Sequence, residues 1–67
     1  MKVIKIGKRV KVEAPGIPPF EGEIVFSGEW ENPFSVTRKK GVDYHVKADD
    51  NGETYGGIDD RHVTEIK

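Results

Sequence analysis

Residues 28–41 read GEWENPFSVTRKKG. Trp30 and Phe34 stand four apart with Pro33 between them, and Arg38, Lys39 and Lys40 follow as an unbroken basic run. Large rings on a proline-stiffened connection offer wide contact area with few torsions to freeze, the chemistry of an anchor for a protein partner. The three cations would form an electrostatic rim around such anchors. Two structural readings compete: the rings fold back as a lid over a small core, or the cations are ordinary solvated surface charge. Glu29 and Glu31 flank Trp30 and favour water there.

Other side chains extend or rival this site. Tyr55 is a further candidate for partner contact. Lys5, Arg9 and Lys11 together with Arg38, Lys39 and Lys40 could make a basic strip for phosphates, with Trp30 or Tyr55 stacking on a base. Glu21 and Glu23 oppose that field, because they are expected to face Arg9 and Lys11 across a strand pair. Tyr44, Tyr55, Phe26 and Trp30 invite an aromatic cage for a methylated lysine, but strand parity turns Tyr44 and Phe26 inward. No catalytic constellation stands out. His45 and His62 lack close metal-binding neighbours, and Asp49, Asn51 and Glu53 are followed by Thr54 where a calcium loop needs glycine. Gly56-Gly57 reads as a bulge or a close packing point rather than a phosphate loop. No enzyme activity, metal or cofactor is expected.

A chain of 67 residues holds one domain, here 1–67, and must draw its stability from a well-filled core because it has no cysteine to staple it. The lack of cysteine fits a reducing compartment, and MKVIKIGKRVKVE carries charges too often to act as a signal peptide. No stretch is long and apolar enough for a membrane span, so a cytoplasmic protein is expected. Eleven basic and twelve acidic residues give a net charge of −1, which argues against generic nucleic-acid binding. The charge is uneven, with Lys2, Lys5, Lys8, Arg9 and Lys11 at the start and Asp49, Asp50, Glu53, Asp59 and Asp60 in the last third.

The elements that position these residues are short strands. Ile4, Ile6, Val10 and Val12 alternate with charged residues, interrupted by a bend at Gly7. APGIPP breaks the pattern. FEGEIVFS places Phe20, Gly22, Ile24 and Phe26 on one face, with Gly22 marking a bend or close backbone approach. VDYHVKA turns Val42, Tyr44, Val46 and Ala48 inward. DDNG is a hairpin turn into ETYGGI, DDRH is one helical turn capped by Asp59 or Asp60, and VTEI is a last strand.

GKRVKV, FEGEIV and DYHVKADDNGETYGGIDDRHVTEI together resemble the SH3-like barrel group that includes Tudor and KOW domains. The resemblance lies in G-x-x-V-x-V, G-x-I-V, Y-x-V before an acidic turn, and a D-x-R close. It implies an all-β fold, a small five-stranded SH3-like antiparallel barrel with a short helical turn before the last strand. It also places residues 28–41 in the loop between strands two and three. G-x-R-V and G-x-I-V are similar, too, to the plasmid-type dihydrofolate reductase, a tetrameric enzyme on such a barrel. That family's Val-Gln-Ile-Tyr strand is replaced here by Thr54-Tyr55-Gly56-Gly57.

The expectation is therefore a non-enzymatic binding module, a small regulatory or adaptor protein that engages a protein partner through residues 28–41. The alternative is a KOW- or Tudor-like nucleic-acid binder, and a more remote one is an oligomer similar to the plasmid-type dihydrofolate reductase. The short chain also fits a complete product of a phage or mobile element. An edge strand left open by an incompletely closed barrel could recruit a second copy or a partner strand.

Overall fold

The computed structural model describes residues 3–66, so Lys2 lies outside the described residues. The chain is all-β: β1 (Arg9–Val12), β2 (Phe20–Glu31), β3 (Lys40–Ala48), β4 (Thr54–Asp59) and β5 (Val63–Glu65), with a 3-10 turn over Asp60–His62 before the last strand. All pairings are antiparallel in one five-stranded sheet of order β4-β3-β2-β1-β5. Among the described residues the sheet does not close on itself, since β4 and β5 end its strand order. Among the described residues no helix is long and apolar enough to cross a membrane.

Period-2 patterning puts Val10, Val12, Ile24, Val42, Tyr44, Val46, Ala48, Ile58 and Val63 on one buried face. Val3, Ile4, Ala14, Phe20 and Tyr55 pack around it. Tyr44 is the largest fully buried side chain, and its hydroxyl accepts a 2.8 Å hydrogen bond from the Ile4 backbone N–H. Gly22 pairs with both Val10 and Ala48, where three strands are held together. A Cβ there would stand only 2.9 Å from the Lys47 carbonyl carbon and the Val46 Cγ1, so the close approach expected at this glycine is present.

The turn chemistry matches its sequence signals. Gly52 takes φ 70° after Asn51, whose side chain accepts the Glu53 N–H at 2.9 Å. Asp59 caps the 3-10 turn by accepting the Arg61 N–H at 3.1 Å. The Gly56-Gly57 pair forms a bulge opposite His45, with Gly57 at φ 67°.

Three expectations are corrected. The first alternating run does not stay a strand from Ile4: Gly7 turns at φ 95°, Lys8 N–H bonds the Lys5 carbonyl, and Ile6 is left 63% exposed. Phe26 does not share the core face with Ile24. One extra residue, Val25, is inserted as a bulge between the pairs Ile24–Val46 and Phe26–His45, which reverses the parity and leaves Phe26 48% exposed against the His45 ring. Residues 28–41 are not one long loop. Gly28, Glu29, Trp30 and Glu31 pair with Asp43, Val42, Gly41 and Lys40, so the true connection is residues 32–39.

This long β2–β3 hairpin projects from the rest. The Cα radius of gyration is 12.0 Å, whereas a compact domain of this length is expected near 11 Å.

Candidate functional site

The projecting hairpin begins where the Val25 bulge turns β2 away from β1. Beyond it, Glu-Trp-Glu alternates polar and aromatic residues, a strand pattern, and Trp30 has high β propensity. Its ring lies over Gly41, where an added Cβ would meet the Trp30 Cε2 at 2.8 Å, so the glycine provides the seat. Trp30 is therefore half-buried on the stem of the hairpin and not a lid over the core.

The tip is ordered by local bonds. Asn32 N–H donates to the Lys39 carbonyl at 2.6 Å and closes the ladder, while the Asn32 side chain accepts the Phe34 N–H at 3.1 Å. Ser35 N–H bonds the Asn32 carbonyl at 3.1 Å, and the Ser35 hydroxyl accepts the Arg38 N–H at 3.2 Å. Asparagine and serine side chains thus stand in for missing backbone partners. Phe34 is 92% exposed and Val36 is 99% exposed on this turn. The lid reading of Phe34 fails because the ring reaches no core contact from a tip so far from the buried face.

Arg38 is committed to the stem. Its guanidinium donates to Asp59 and to Asp60 at 2.5 Å each, and sits 5.8 Å from the centre of the Trp30 ring. Asp60 also accepts the Val42 N–H at 3.2 Å. This network ties the hairpin to the 3-10 turn. Burial disfavours the Asp59 charge, but hydrogen bonds from the Arg61 N–H and from neighbouring side chains, Arg38 and Arg61 among them, hold its carboxyl well below the usual range. The Asp60 hydrogen bond is the main reason the Arg38 pKa is raised.

Lys39 and Lys40 are exposed beside the tip, and among the described residues neither forms an ion pair. An open groove of about 390 Å³ runs along Glu29, Trp30, Glu31, Lys40 and Gly41.

The other expected residues lie elsewhere. Arg9 is opposite Glu23 and Lys11 is opposite Glu21, as the strand pattern implies. Arg9 makes its ion pair with Asp49, whose carboxyl pKa is lowered first by that hydrogen bond. From Arg9 to Lys40, the span along β2 from Glu23 to Glu31 is roughly 25 Å. The two basic groups are therefore separate patches, and Lys5 lies with the first. Tyr55 pairs with Val46 and packs against Phe20 at 4.9 Å between ring centres, in a cleft of about 220 Å³ beside Pro18 and Pro19. Trp30, Phe34, Arg38, Lys39 and Lys40 come together on the hairpin; Tyr55 does not join them. Tyr44 is in the core, so the four aromatics do not form a cage.

Sequence reasoning missed Val36 and the Phe26–His45 pair. Val36 gives a weak signal, a lone aliphatic residue between Ser35 and Thr37 with no alternating apolar neighbours.

No family model, curated protein or solved structure matches this chain.

Proposed function

We propose that this chain is a non-enzymatic binding module, an SH3-like barrel acting as a small cytoplasmic regulator or adaptor, which engages a protein partner through the β2–β3 hairpin. The barrel reading is supported by the meander order, by the return of β5 to β1, and by the close backbone approach at Gly22. The observation that carries the binding reading is the tip itself: Phe34 and Val36 stand almost fully in water on a turn held by its own side chains. Exposed apolar side chains on an ordered support lose little entropy on docking. The flanking Lys39 and Lys40 favour a partner whose apolar pocket has an acidic rim.

Arg38 has a different role from the one its sequence position implies. It stiffens the stem through Asp59 and Asp60. A phosphate-binding role draws less support, because Arg9 and Arg38 are already paired with carboxylates and the basic residues fall into two patches.

The test is capture from a lysate of the source organism by immobilised wild type and by Phe34→Ser/Val36→Ser, with and without nuclease. Burying these two side chains contributes about 1.5–3 kcal/mol each, so the double variant should bind a protein partner at least about a hundredfold more weakly. Its folding stability should stay within about 0.5 kcal/mol of wild type, because neither side chain touches the core. Capture that disappears with nuclease and falls steeply with salt would move the site to the lysines. Equal capture of one protein by both forms would refute the tip as the binding site.

A further inference from the structure

The upper half of β2 has a neighbour on one side only. β1 pairs with β2 from Phe20 to Glu23, and Ile24 is reached next by Gly7 and Lys8, through bonds of 2.8 and 3.0 Å. At Gly7 the chain turns away. Among the described residues, no backbone hydrogen bond from a turn, a loop or another strand reaches the far edge of residues 25–31.

The groups on that edge follow from the ladder. Asn32 N–H bonds Lys39 on β3, and antiparallel bonding alternates residue by residue. Trp30, Gly28 and Phe26 thus bond to β3, while Ser27, Glu29 and Glu31 turn their N–H and C=O groups outward. The Val25 bulge reconciles this with Ile24, which also faces outward, toward β1.

We infer that this edge pairs with the same edge of a second copy, antiparallel about a two-fold axis at Gly28. This goes beyond the binding-module reading, which concerns the tip, and does not depend on it. Three features select the occupant and the register. The open stretch, residues 25–31, is centred on Gly28, so this alignment uses all of it in both copies, whereas a shift of two residues shortens the ladder. Ser27 and Glu29 exchange outward-facing groups with Glu29 and Ser27 of the second copy, and Glu31 lies opposite Val25. Sliding toward the tip would set Glu29 against Glu29, two like charges directly opposed. On the other face Phe26 falls opposite Trp30 of the second copy, and Gly28 puts no side chain on the axis between them. A two-fold pairing is closed, so it consumes the open edge in both copies and does not propagate.

The test uses the whole chain in sedimentation equilibrium. Wild type of 7.5 kDa should approach twice that mass at millimolar concentration. Ser27→Pro removes an N–H that points only to the open edge, so it should remain monomeric with its circular dichroism unchanged. Gly28→Cys gives an independent readout in a chain that has no cysteine. It sits on the axis at a non-hydrogen-bonded pair, where Cα atoms lie about 4.5 Å apart, within disulfide reach. Under mild oxidation it should form a covalent dimer at least about tenfold faster than Val36→Cys, whose exposed thiol meets its copy only by collision. A wild type that stays monomeric at millimolar concentration overturns the inference, as does Gly28→Cys crosslinking no faster than Val36→Cys, whether or not Ser27→Pro folds. The Phe34→Ser/Val36→Ser variant separates this from the tip: it acts on partner capture, Ser27→Pro on mass.

Discussion

Replacing Gly22 with alanine should cost this protein a large share of its stability. The nearest atoms to the new methyl are the Lys47 backbone carbonyl, whose carbon would be 2.9 Å away, and the Val46 Cγ1, also at 2.9 Å. Ordinary carbon contacts begin near 3.5 Å, so β2 and β3 must separate by about 0.6 Å or more. They cannot do so freely, because Gly22 is paired with Ala48 on one side and Val10 on the other. Overpacking of this kind costs about 1–3 kcal/mol, and each ladder hydrogen bond lost or stretched adds about 1 kcal/mol. The lower entropy of the unfolded alanine chain returns about 0.4–1 kcal/mol. The net loss is about 2–4 kcal/mol, set against about 3–10 kcal/mol for a whole domain of 67 residues. Urea denaturation, followed by the fluorescence of the single tryptophan, should show the midpoint falling by about 2 M or more at a slope near 1 kcal/mol/M. Gly56→Ala is the control, since its nearest neighbour is the His45 ring at 3.2 Å, a side chain that can rotate away. A Gly22→Ala protein within about 0.5 kcal/mol of wild type, or no less stable than Gly56→Ala, would falsify the close-approach argument.

Two further perturbations act on the core and on the stem. Tyr44→Phe removes the acceptor for the Ile4 N–H; it should cost about 1 kcal/mol and speed hydrogen exchange at Ile4 while leaving the β3 amides protected. Acid should loosen the hairpin stem: the Asp59 pKa is lower folded than unfolded, so its contribution is complete above the unfolded value near 3.9 and is lost as pH falls below it toward the folded value. The urea midpoint should therefore be nearly flat from neutral pH to about pH 5 and drop below about pH 4, and Asp59→Asn should flatten that drop; an unchanged acid slope in this variant would remove Asp59 from the account.

Local chemistry alone determined much of this protein. Alternation in VDYHVKA set the inward face of β3, DDNG set the β3–β4 turn, and the aspartate pair of DDRH set a capped 3-10 turn, with Asp59 as the cap. Each of these depends on residues within a few positions of one another, so the sequence carries the whole cause. The hairpin was only half readable: Trp30, Phe34 and the basic run marked the right segment, but Gly28 and Asn32-Pro33 both look like breaks, and the strand through Glu29, Trp30 and Glu31 exists because Lys40, Gly41 and Val42 pair with it. The Val25 bulge has no local signature, since Val25 and Phe26 suit either face. The packing of Ile24 beneath β1 and β3 decided which residue was extruded, and with it the exposure of Phe26 and the open edge. Arg38 was likewise decided across the fold, by Asp59 and Asp60 more than twenty residues away. Only once β4 folds back along β3 do those carboxylates reach the stem and turn a surface cation into its clamp.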